Sequence, residues 1–185
     1  MNTTKILSVL FISMAIGIGS AQEKYLDKNG VIIFEASEKL FEEVKAVNES
    51  VTAIYNANTD EIASLALMQG FRFKNSLMQE HFNENYIESD SYPKATFRGK
   101  FLNLDKNLTV GSKTTVTVKG TLSLHGVSKE IETELDLTKL DDTTLHIKGQ
   151  FVVTPQDFQI EIPKIVRNKI AKEVQVQLEF KLQKK

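Results

Sequence analysis

Between residues 114 and 182 apolar and polar residues alternate so regularly that few folds can accommodate the chain. In 114–124, Val116, Val118, Gly120, Leu122 and Leu124 share one parity, against Thr115, Thr117, Lys119, Thr121 and Ser123. In 130–137, Ile131, Leu135 and Leu137 oppose Glu130, Glu132, Glu134 and Asp136. Leu145, Ile147, Gly149, Phe151 and Val153 repeat the pattern, and Val174, Val176, Leu178, Phe180 and Leu182 repeat it again. A period of two sends successive side chains to opposite faces of a strand, so each of these strands has one dry and one wet face. That is an antiparallel signature. Gly126 and Asp141-Asp142 fall between the runs as turns.

Upstream the same signal is present but weaker. Residues 31–36 form a short apolar run, 37–47 an irregular connection, and 51–55 a second strand, with a turn at 56–60. Residues 62–73 place Ala63, Leu65, Leu67, Phe71 and Phe73 on one parity. In 96–104, Phe97 and Phe101 face alike, and Asp105-Lys106-Asn107 turns the chain. About eight strands joined mostly by short turns read as a meander. A sheet with one apolar face buries that face by curling on itself, which predicts an all-β, eight-stranded barrel. Gly99, Gly120 and Gly149 lie inside strand patterns, where glycine marks a bend or a close approach.

One stretch departs from the period of two. Met78, Phe82 and Tyr86 recur every four residues, the spacing of one helix face. Ser76 with Gln79 matches a capping box, Asn85 is a candidate stop, and Pro93 returns the chain to strand. A short helix cannot bury this stripe alone, so it packs at or in the barrel mouth. The interior of an eight-stranded barrel is either filled by side chains or wide enough for one small ligand. The inward set here is Phe, Leu, Val and Ile, which would suit an apolar guest.

At the start, Lys5 precedes the apolar run 6–19 and a small-x-small pattern at Gly19-Ser20-Ala21. This predicts a signal peptide over 1–21 and one domain over 22–185, exported and without a transmembrane anchor after cleavage. The sequence has no Cys, which removes a lipid anchor on Cys, thiol catalysis and Cys-rich zinc sites. Its 23 basic and 24 acidic residues are interspersed, which argues against a nucleic-acid partner. Lys164, Arg167, Lys169, Lys172 and Lys181 enrich the C-terminal part and read as a solvated face.

The chemistry-bearing residues form no site. His81 and Glu84 lie on neighbouring helix turns but lack the further ligands a metal needs. His125 reads as a turn residue and His146 as a wet-face residue. No phosphate loop or nucleophile–base–orienter set is apparent, so no cofactor, metal or catalytic residue is expected.

Several segments together resemble the YceI-like family: Met78-Gln79-Glu80-His81-Phe82, Glu88-Ser89-Asp90, Tyr92-Pro93-Lys94-Ala95-Thr96-Phe97, and 120–129, Gly-Thr-Leu-Ser-Leu-His-Gly-Val-Ser-Lys. Gln156-Asp157-Phe158-Gln159-Ile160 sits where that family shows Arg-x-Asp-Phe-Gly-Ile, without its Arg and Gly. The strand leading to Phe73 also lacks the family's usual Thr and Arg near the helix. The resemblance implies a lipocalin-like barrel, periplasmic or secreted, that holds an isoprenoid or fatty-acyl chain, as a fatty acid or amide, in its bore. Ligand contacts are then expected at Phe73, Met78, Phe82, Tyr86, Phe97, Phe101, Val118, Leu122, Leu124, Phe151 and Phe158. The reading is of a non-enzymatic carrier, and a homodimer is compatible with it. The alternative is a barrel with a filled core that acts through its surface as an interaction or stress-related protein.

Overall fold

The computed structural model of the protein describes residues 23–38 and 42–185, so the expected signal peptide lies outside the described residues. The strands are β1 (Lys24–Ser37), β2 (Lys45–Asn56), β3 (Glu61–Leu67), β4 (Arg72–Phe73), β5 (Lys94–Leu102), β6 (Lys113–Leu124), β7 (Val127–Lys139), β8 (Thr144–Val153) and β9 (Ile170–Lys184). Every pairing is antiparallel, in the order β1-β9-β8-β7-β6-β5-β3-β2, and β1 also pairs with β2 to close the barrel. Closure removes the sheet edges that would otherwise invite pairing with other chains. Eight strands make the wall. The two-residue β4 is an appendage on β2, opposite Ala46 and Val47.

The alternation seen in the sequence holds in β6 to β9. Val116, Val118, Leu122, Leu135, Leu137, Leu145, Ile147, Val176, Phe180 and Leu182 are all buried. β1 is longer than its apolar run because a bulge around 27–31 lets it continue. The Asp27 carboxylate covers the irregularity, accepting from the backbone N–H of Lys181 at 2.7 Å and of Asn29 at 2.9 Å. Gly99 and Gly120 are partners across β5 and β6. A Cβ on Gly120 would collide with the Arg98 carbonyl and with the Gly99 Cα, so this crossing needs both side chains missing.

β3 corrects the expected parity. Ile62, Ala66 and Met68 point inward, while Leu65 is 37% and Leu67 56% exposed. A 3-10 turn at Met68–Gly70 interrupts the strand and resets the parity, so Phe71 and Phe73 face the core although Leu65 and Leu67 do not. Counting by twos fails across a turn that is not a whole number of strand periods. Buried Asn48 fastens this turn, donating from Nδ2 to the Leu67 carbonyl at 3.0 Å and accepting from the Ser50 N–H at 3.0 Å.

The helix, α1 (Ser76–His81), differs from expectation at both ends. Its cap is Asn75, whose Oδ1 accepts from the N–H groups of Leu77 at 2.9 Å and Met78 at 3.3 Å. Gln79 does not close a box on Ser76. Its Oε1 accepts from the Phe73 N–H at 3.3 Å and ties α1 to β4. Asn85 does not end the helix either, because α1 widens into a π-turn at Phe82–Tyr86, with the Ile87 N–H donating to the Phe82 carbonyl at 2.9 Å. The left-handed residue is Glu88, at φ 46°.

Candidate functional site

The bore has two halves. In one, Tyr25, Tyr55, Ile62, Phe101, Val118, Leu137, Ile147, Phe180 and Leu182 fill the space, with Tyr55 and Phe101 rings 5.3 Å apart. In the other, the wall carries Ala36, Ala66 and Ala95, the last two directly opposite each other on β3 and β5. Small side chains where the packed half has aromatic rings leave a cavity of about 440 Å³. That volume lies within the roughly 300–1,000 Å³ of small-ligand pockets.

Two caps cover this half. The first is α1 with its π-turn, from which Met78, Phe82, Tyr86 and Ile87 line the cavity. The extra residue of the π-turn keeps Phe82, Tyr86 and Ile87 on the same apolar side. Phe82 docks in an aromatic cluster, with its centroid 5.3 Å from Phe34, 6.0 Å from Phe71 and 5.2 Å from Phe73. Burial pushes the Tyr86 phenol pKa up, so the hydroxyl stays neutral.

The second cap is the 3-10 turn Pro155–Phe158 and the chain that follows it to β9. Pro155, Phe158, Ile160, Ile162, Val166 and Ile170 face the cavity from it. Gln159 holds φ 57°, the left-handed conformation, at the position where the family pattern places glycine. His125 anchors this turn. With Gly126 it forms the β6–β7 hairpin turn, both residues at positive φ, and its Nδ1–H donates to the Phe158 carbonyl at 3.0 Å. Its ring packs on Tyr92, with centroids 4.3 Å apart. His125 is a turn residue, as expected from the sequence, and it also ties the hairpin to the second cap.

Of the eleven expected ligand residues, Phe73, Met78, Phe82, Tyr86, Leu122, Leu124, Phe151 and Phe158 line this cavity. Phe101 and Val118 belong to the packed half, and Phe97 leans over Gly99, outside the lining. Facing inward is common to both halves of a barrel strand, so parity could not separate them. The sequence reading missed Ile32, Phe34 and Ala36 of β1 and the wall residues Val174 and Val176. The apolar run of β1 and the alternation of β9 were visible, but which end of each strand lies at the open half was not.

Apart from the Tyr86 phenol, charged or titratable side chains among the described residues enter the lining only as Glu42, His81 and Lys169. Among the described residues no three acidic or histidine side chains are grouped so as to hold a metal ion. His146 sits on the wet face, 2.8 Å from Glu179, and its hydrogen bond is the main cause holding that carboxyl below its usual range.

A closed antiparallel barrel with a helix-capped apolar cavity belongs to the class of small barrels able to enclose one ligand. The sequence profile of the YceI-like domain matches residues 27–182, and the chain belongs to this family. No curated protein sequence matches it. Among solved structures it is similar to a polyisoprenoid binding domain from Saccharophagus degradans implicated in plant cell wall breakdown. That match has 19% identity, a TM-score of 0.76, and covers 88% of this chain and 98% of that one. It is also similar to BcnA of Burkholderia cenocepacia, at 13% identity and TM-score 0.66, over 82% and 94% of the two chains. The Campylobacter jejuni YceI protein matches at 13% identity and TM-score 0.50, over 98% and 92%. These likenesses concern the fold.

Proposed function

We propose that the protein is an exported, non-enzymatic carrier that holds a long apolar chain, isoprenoid or fatty-acyl, in the half-open bore. The observation that carries this reading is the cavity of about 440 Å³, walled almost wholly by apolar side chains, with Glu42, His81, Tyr86 and Lys169 as the polar exceptions. Such a lining offers broad contact to a hydrocarbon and few groups with which to polarise a bond. It favours whatever can leave water, at about 0.8 kcal/mol per buried CH₂. A tail of about a dozen carbons then gains roughly 10 kcal/mol in gross terms, enough to exceed the lower estimates of the cost of association. Met78 suits a flexible guest, since its thioether adapts to irregular shapes. The polyisoprenoid binding of the Saccharophagus degradans domain supports the ligand class. The apolar run at 6–19 and the small residues after it support export.

Native mass spectrometry of the protein purified without detergent, followed by organic extraction, tests the reading. The expected result is a bound species with a hydrocarbon chain, released on denaturation. A ligand-free mass, together with failure of added isoprenoids and fatty acids to bind, would overturn it.

A further inference from the structure

The chain between the second cap and β9 has two faces. Ile162, Val166 and Ile170 line the cavity, with Lys169 beside them. Between these residues Lys164, Ile165 and Arg167 face solvent, and Ile165 is 83% exposed, more than any other large apolar side chain among the described residues. The shape of the segment is fixed by backbone bonds from Val166 N–H to the Pro163 carbonyl at 3.1 Å and from Lys169 N–H to the Val166 carbonyl at 2.8 Å. Arg167 Nη2 adds a bond to the Ile162 carbonyl at 3.2 Å.

Charge is concentrated here. Lys164, Arg167, Lys169 and Lys172 stand against the single acid Glu161 within residues 161–172. None of these four cations takes part in an ion pair among the described residues. Several lysines of the barrel wall do, as in Lys113 with Asp136 at 2.9 Å and Lys184 with Glu23 at 2.6 Å. The helical cap exposes Leu77 (55%) but carries Glu80 and Glu84, so it does not share this run of cations. An apolar tip framed by unneutralised cations matches the chemistry of an anionic bilayer surface, where the apolar group enters the headgroup layer and the cations meet phosphates.

We propose that residues 161–172 dock the cavity mouth on an anionic lipid bilayer, with Ile165 inserted and Lys164 and Arg167 on headgroup phosphates. The same segment is a wall of the cavity, so cargo passes between membrane and bore without crossing open water. The transfer step rests on the carrier reading, whereas docking itself does not.

The test is flotation of the exported, purified protein with vesicles of phosphatidylglycerol mixed with phosphatidylcholine, against vesicles of phosphatidylcholine alone. Binding is expected only to the anionic vesicles and should weaken with salt. The Lys164→Glu/Arg167→Glu pair should weaken it by at least about 100-fold, at roughly 1 kcal/mol per charge near the surface and 1.4 kcal/mol per tenfold. Ile165→Asp should weaken it as well, while Lys113→Glu on the barrel wall should leave it unchanged. Equal binding to both vesicle types, no binding to either, or insensitivity to the charge pair would overturn the proposal. Native mass spectrometry of the same variants separates the two readings. Vesicle binding by a protein that carries no cargo and takes up no added isoprenoid or fatty acid refutes the carrier and leaves docking standing, and a bound chain without vesicle binding does the reverse.

Discussion

Replacing Phe82 by Ala isolates the helical cap from the rest of the barrel. The Phe82 ring makes three aromatic contacts, to Phe34, Phe71 and Phe73, at centroid separations of 5.3, 6.0 and 5.2 Å. At about 0.5–1.5 kcal/mol per pair beyond area burial, their loss amounts to roughly 3 kcal/mol. A helix of six residues with one π-turn has no stability of its own in water, so its docked state depends on this face. The barrel ladders do not run through Phe82, so the loss falls on local opening rather than on global unfolding. Roughly 3 kcal/mol corresponds to about a 100-fold change in the opening equilibrium. Amide hydrogen exchange measures it. Protection at residues 77–87 is expected to fall about 100-fold while amides paired between β6 and β7 keep theirs, and an apolar probe should enter faster. An equal fall in protection across all strands, or no change at the helix, would refute the independence of the cap.

Leu124→Asp puts a carboxylate at the end of β6 on the cavity wall, and the variant is expected to remain folded but to lose its apolar ligand; retained binding by native mass spectrometry would contradict the assignment. Gln159→Gly should stabilise the protein by about 0.5–1 kcal/mol in denaturant titration, because the left-handed φ of 57° costs a side-chain-bearing residue about 1–2 kcal/mol, partly offset by glycine entropy. Gly120→Ala should destabilise by about 1–3 kcal/mol or more, since the new methyl meets backbone rather than a movable side chain. Burial raises the Tyr25 pKa to about 12, helped by its hydrogen bond to Glu23, and burial raises that of Tyr55, helped by Asp60. The unfolded chain therefore loses these protons first. Stability should be whole below pH 10 and fall above it by up to about 1.4 kcal/mol per pH unit for each phenol; a flat denaturation midpoint through that range would count against their burial.

What the sequence determined by itself is the wall. From β6 to β9 the alternation is nearly unbroken, the β6–β7 and β7–β8 turns are short, and the buried positions of each strand fall on one parity, because a strand wet on one face can satisfy only one parity. The helix at 76–86 was legible for the same kind of reason, since Met78, Phe82 and Tyr86 sit on one side of it. Local competition was not legible. Asn75 rather than Ser76 supplies the cap, and Gln79 is drawn to the backbone N–H of Phe73, which the pairing of β4 with β2 holds in place. The parity of β3 was set by its pairing with β5 and by the turn at Met68–Gly70, not by its own leucines.

Only the tertiary structure decided where the bore is full and where it is open. The rings of Tyr25, Tyr55 and Phe101 pack together in one half, while Ala36, Ala66 and Ala95, far apart in sequence, line the cavity in the other. Whether space is left depends on the sizes of side chains that share a layer. Layers are made by register and closure across the whole sheet, and no single strand contains that information.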